Sequence, residues 1–108
     1  MNAKYVQKGS NIDYTNSGDA AIKAGDIVSL TTRIGVAATD IAVGAVGTVA
    51  VSGVFAVAKA AEAVTVGAAL YYDAAAKNFT ATATGNTPAG WAIAPAAAGD
   101  AEALVKIG

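Results

Sequence analysis

The sequence predicts an all-β domain with room for one short helix, and three observations carry that reading. The run Ile41 to Ala58, IAVGAVGTVAVSGVFAVA, holds no charge, and its Val49, Val51, Phe55 and Val57 alternate with small residues as a pleated strand requires. Thr80, Thr82 and Thr84 alternate with alanines, which suits an edge or half-exposed strand. Short apolar runs recur between turn signals about every eight to twelve residues, the spacing of a small sandwich or barrel. The competing reading is a membrane helix over Ile41–Ala58, which is just long enough to span a bilayer. Valine and glycine are poor helix formers, so the strand reading prevails.

Residues 1–19 stand apart as an extended N-terminal arm, polar except at Tyr5, Val6, Ile12 and Tyr14; residues 20–108 form a single β-rich domain. Ile12 and Tyr14, two apart, share one face of an extended segment. The arm is either a frayed terminus or a segment that orders on a partner's strand. After Ala24-Gly25-Asp26, a turn, come strands over Ile27–Thr31 and Arg33–Ala38, with Gly35 a bulge. Asp40, Gly44 and Gly47 bracket a loop. Val49–Val51 and Val54–Val57 are strands around Ser52-Gly53, either a two-residue turn or a bulge in one continuous strand. Val57–Val66 is irregular, a strand or a helical turn; it is too short to be a stable helix by propensity. Ala69–Tyr72 pairs with Lys77–Thr84 across an alanine turn, and Gly90–Ala94 and Ala103–Ile107 close the domain around a Pro95–Asp100 loop.

Composition limits the core. Of 108 residues, 55% are hydrophobic, but alanine supplies about half of these and buries little area. A thin core of Val, Ile, Leu, Phe, Tyr and one Trp predicts association with copies of the chain or with a larger surface. Net charge is −1 and the seven basic residues are scattered, leaving no electrostatic footprint for nucleic acid. The opening MNAKYVQKGSNIDY has no apolar core of a secretory signal, so synthesis in a cytoplasm is expected.

Most catalytic constellations fail for want of parts. There is no His or Cys, hence no Ser-His-Asp or Cys-His arrangement and no His or Cys ligand for a metal. Gly44-Ala-Val-Gly47 is only a GxxG, read as loop geometry. Asp26, Asp73 and Asp100 sit at turns, where an Asp side chain caps its own backbone. The Asn11–Asp19 segment lacks the ligand density of a calcium loop. No enzyme, cofactor or metal is therefore expected. Trp91 reads as a core or interface anchor rather than a sugar platform. Tyr71 and Tyr72 are adjacent in a strand, so one faces in and one out; Tyr72 is taken with Trp91 as a subunit-interface or core anchor.

The order of these segments resembles a family of small capsid cement (decoration) proteins of tailed bacteriophages, formerly catalogued as a domain of unknown function. The residues that carry the resemblance are Ala24-Gly25-Asp26-Ile27-Val28, Gly35-Val36-Ala37, the Val49–Val57 stretch with Gly53, Gly67, Tyr71-Tyr72-Asp73, Thr80 to Thr84, Gly90-Trp91-Ala92, Gly99-Asp100 and Val105-Lys106-Ile107. Each motif is short; specificity comes from their order over about residues 20–108. Pro88-Ala89 departs from the family's usual apolar residue before Gly90. The resemblance implies a virion structural protein on the outer surface of the expanded head. It implies binding to the major capsid protein and to itself as a homotrimer, with no nucleic acid and no membrane partner. Tyr5, Val6, Ile12 and Tyr14 would then be capsid contacts. The alternative is a generic β-rich binding or adhesion module of a larger surface assembly.

Overall fold

The computed structural model describes residues 3–108; the first two residues of the expected arm lie outside it. Nine strands are found: β1 (Asn11–Thr15), β2 (Ile27–Ser29), β3 (Ile34–Ala37), β4 (Val46–Ala50), β5 (Gly53–Ala58), β6 (Ala69–Asp73), β7 (Asn78–Thr80), β8 (Thr87–Ala92) and β9 (Glu102–Ile107). They form two antiparallel sheets, ordered β1-β4-β3-β2 and β5-β9-β8-β6-β7. No helix occurs among the described residues, so the fold is all-β and sandwich-like. Ile41–Ala58 is not a membrane helix but β4, a corner and β5.

The two sheets are built on one plan. Each runs first strand, last strand, third strand, second strand, and β1, β2, β3, β4 correspond to β5, β6, β8, β9. The registers coincide: Ile27↔Val36↔Ala50↔Asn11 crosses the first sheet as Ala69↔Trp91↔Lys106↔Val54 crosses the second. Connections outside the strands repeat as well. Ile22 and Ile41 exchange both backbone hydrogen bonds (2.9 and 2.8 Å), as do Val64 and Ala96 (2.9 and 3.0 Å). The Gly25 N–H donates to Ala37 and the Gly67 N–H to Ala92, both at 2.7 Å. These glycines take φ of 92° and 86°, a left-handed turn position that other residues rarely adopt. The chain is thus two copies of one module, residues 11–50 and 53–107. β7 is an insertion in the second, and through the parallel Lys59↔Phe79 bridge it curls that sheet toward a barrel.

The same plan explains Gly35 and Gly90. A Cβ at Gly35 would lie 2.4 Å from Val49 Cγ1, and one at Gly90 would lie 2.0 Å from the Lys106 carbonyl oxygen. Both positions bring a strand close against its neighbour. Gly35 is therefore not a bulge: Val28↔Gly35 sits in regular register. The register shift of this fold falls between Leu70 and Tyr71, which face Gly90 and Pro88 and leave Ala89 as the extra residue. Pro88 sits at that irregularity, where proline's missing donor is tolerated.

Other expectations need correction. Ser52-Gly53 is neither a hairpin turn nor a bulge within one strand. β4 and β5 belong to different sheets, and Gly53 (φ 132°) turns the corner between them. Gly47 lies in β4 rather than in a loop. The strand expected over Lys77–Thr84 ends at Thr80, where the Thr82 N–H turns back onto the Thr80 hydroxyl at 3.2 Å. β8 starts at Thr87 and stops at Ala92.

Two cores follow from two modules. Val28, Ala37, Ile41 and Val49 are buried in the first, with Ile12 and Tyr14 of β1 packed on them. The second gathers Val57, Leu70, Phe79, Val105 and Ile107, and also takes Ile34 and Val36 from β3 of the first module. That shared cluster ties the modules together. Residues 11–15 are consequently part of the folded body, and the segment outside any strand is, among the described residues, 3–10.

Candidate functional surface

Each module also buries a polar side chain at an equivalent place, just after its first strand. Asn16 Nδ2 donates to the carbonyls of Ala20 (2.9 Å) and Ile41 (3.0 Å). Lys59 Nζ donates to those of Ala60 (3.1 Å) and Ala98 (3.4 Å). These bonds tie the turn after each first strand to its neighbouring loops, which is a structural task. The carboxylates do similar work. Asp26 Oδ2 accepts from the Lys23 N–H at 2.9 Å, Asp100 Oδ2 from Ala97 at 2.9 Å, Asp73 Oδ1 from Ala75 and Ala76 at 3.0 and 3.1 Å, and Asp40 Oδ1 from Ala24 at 2.8 Å. Glu62 Oε1 accepts from the Ala81 N–H (2.5 Å) and the Thr80 hydroxyl (2.9 Å). Those two bonds hold its carboxyl below the usual range. The acidic side chains expected at turns are therefore fixed as backbone acceptors.

What remains for function is apolar surface. On β5 both parities of side chain are apolar: Phe55 and Val57 point into the core, while Val54, Ala56 and Ala58 are exposed. Leu104 on β9 and Trp91 on β8 continue that outer face, each 43% exposed. Beside Trp91 a groove of ≈ 770 Å³ opens between the modules, bordered by Ile12, Leu30 and Val51 on one side and Ala69, Ala89 and Trp91 on the other. The groove has a cause in the sequence. Ile34 and Val36 of the first module are buried in the shared core and Ile27 packs on it, whereas of their counterparts Ala89 offers only a methyl to that core, Ala69 is exposed and Trp91 turns outward. The β2–β3 hairpin tip stands at this rim. There Thr31 adopts φ 74° between Leu30 and Thr32, a costly conformation for a β-branched residue.

The sequence-derived candidates separate in space. Among the described residues Tyr5 and Val6 are the most exposed large apolar ones, at 80% and 83%. Ile12 and Tyr14 are half-buried on the core of their own sheet. Tyr72 faces inward, its ring 5.3 Å from Phe79, and burial first, then Asp26 and Asp73, push its hydroxyl pKa up. Trp91 faces out. Sequence reasoning missed Val54 and Leu104, although an apolar residue at every position of Val54–Ala58 is the mark of a strand covered on both faces.

No curated protein and no solved structure matches the chain. A family model described as phage cement protein matches residues 6–107, which spans both modules and reaches into the segment before β1. With nearly the whole chain matched in one piece, the protein belongs to the phage cement protein family.

Proposed function

We propose that this chain binds the outer surface of the expanded phage head as a homotrimer, contacts the major capsid protein there, and braces the shell. It would be made in the bacterial host cytoplasm and end on the virion. The family match over residues 6–107 carries this reading, since it supplies the capsid-associated structural role. The form of the surface supports it. Tyr5 and Val6 project from a segment in no strand, next to β1, which is the edge of its sheet and offers unpaired backbone groups to an extended capsid segment. Ile12 and Tyr14 contribute indirectly, by fixing that edge to the core.

The experiment mixes purified protein with empty expanded heads and measures co-sedimentation and resistance of the heads to heating. Wild type adds to the heads and raises their resistance. Tyr5→Ser/Val6→Ser keeps the melting temperature, since neither side chain touches the core, and weakens head binding by at least about tenfold. Wild type that stays in the supernatant would sink the reading.

A further inference from the structure

We infer that the outer face of β5, β9 and β8 is where copies of this chain meet, with Val54, Leu104 and Trp91 at its centre and Lys106 against Glu102 at its seams. The duplicated module supplies an internal control. Val54, Ala56, Ala58 and Leu104 correspond in register to Asn11, Asp13, Thr15 and Thr48 of the first module. The backbone plan is the same, and both sets lie on the outward side of their strands. Yet the first set is wholly apolar and the second wholly polar; the two other outward positions of these strands run the other way, Val46 and Ala50 standing where the second module has Glu102 and Lys106. A solvated face built on this plan carries Asn, Asp and Thr. The valine, alanines and leucine of the second face are what a covered one carries.

A second copy of the chain is the occupant that charge favours. The only two charged side chains on β9 lie on this face, Glu102 at its start and Lys106 near its end, and they have opposite sign. The patch is thus neutral and self-complementary along the strand. Copies set end to end around a three-fold axis bring Lys106 of one subunit to the partner subunit's Glu102, and the apolar middle turns inward. Such a head-to-tail contact closes into a ring when the rotation fits. Trp91, in the same cross-strand row as Lys106 and Val54, is the kind of large anchor that dominates interface energies. The trimeric part of this inference rests on the function proposed above; the face itself does not.

Sedimentation of the full-length chain in buffer, without heads, tests it. Wild type should associate. Leu104→Glu should weaken association by at least about tenfold, while Thr48→Glu, the same change at the corresponding site, should leave it unchanged. Lys106→Glu should weaken it by several-fold, and Lys106→Glu/Glu102→Lys should restore it. Thermal melts accompany each variant, and if Leu104→Glu fails to fold, the charge-reversal pair decides alone. A monomeric wild type, equal loss in Thr48→Glu, or no rescue by the double reversal would overturn the inference. So would a Leu104→Glu protein that still associates but no longer binds heads, because the face would then belong to the capsid. Failure of the head-binding reading looks different: wild type associates through this face and does not add to heads.

Discussion

The first module and the second share a strand order, a register and a set of connecting hydrogen bonds, yet they do different things with the same backbone. The first has polar side chains on the outer part of its sheet and sends Ile34 and Val36 into its neighbour's core. The second has Val54, Ala56, Ala58 and Leu104 on its outer face between the charges of Glu102 and Lys106, replaces those anchors with Ala89 and Trp91, and adds β7. Where the backbone agrees, the side chains serve folding: glycine at the close approaches, a buried polar group under the turns. Where the side chains differ, the difference marks surface that solvent alone does not explain.

The strongest test of the comparison removes a strand from one module. Deleting residues 1–16 takes away β1, the Ile12 and Tyr14 packing and both Asn16 hydrogen bonds. Loss of two large apolar side chains alone costs several kcal/mol, about 2–5 each by the usual range, which is a large share of a small domain's stability. The truncated protein should unfold at a far lower temperature or fail to fold, as seen by circular dichroism. Deleting residues 1–9 should barely move the melt, because the described part of that segment, residues 3–9, is exposed. If the two truncations melted alike, β1 would be dispensable and the modules would not be equivalent.

A smaller effect compares the paired glycines. Alanine at Gly90 would place its Cβ against the Lys106 carbonyl, a backbone atom that moves only with its strand. At Gly35 the tightest contact is the Val49 side chain, with the Ala50 carbonyl at 3.0 Å. Gly90→Ala should therefore cost about 3 kcal/mol or more in urea unfolding and Gly35→Ala nearer 1–2, by the usual range for overpacking. The reverse order would mean that the first sheet is the tighter of the two.

Much of this was legible in the chain. The valine alternation, the turn at Ala24-Gly25-Asp26 and the aspartates at turns read correctly because each depends on near neighbours. The duplication did not. Gly35-Val36-Ala37 and Gly90-Trp91-Ala92 stand equally far before Ile41 and Ala96, but the residues between them differ, and β7 interrupts the spacing. The pairing of residues 11–15 was hidden for a related reason. Ile12 and Tyr14 are sparse apolar residues in a polar stretch, and only the β1–β4 pairing, some 35 residues away in sequence, makes them core. Trp91 likewise could be placed in or out only once its strand's parity was fixed by Ala92 and Leu70 inside.

The smallest expected effect belongs to the one element that has no counterpart in the first module. β7 ends at Thr80, and Glu62 clamps that end by accepting hydrogen bonds from the Thr80 hydroxyl and the Ala81 N–H. These bonds lower the carboxyl's pKa in the folded chain, so protons bind the unfolded chain more readily. The resulting stabilisation is fully present above the ordinary carboxyl value and is lost as pH falls through the lower folded value. Glu62 lies near the surface, and bonds of this kind contribute about 1 kcal/mol or less there. Glu62→Gln should accordingly melt slightly below wild type at pH 7, with the gap closing toward pH 3. Because the clamp holds only the insertion, hydrogen exchange at pH 7 should quicken around Phe79–Ala81 in the variant and stay unchanged in β1–β4. Faster exchange throughout both sheets would mean that β7 supports the whole protein rather than decorating one of its two modules.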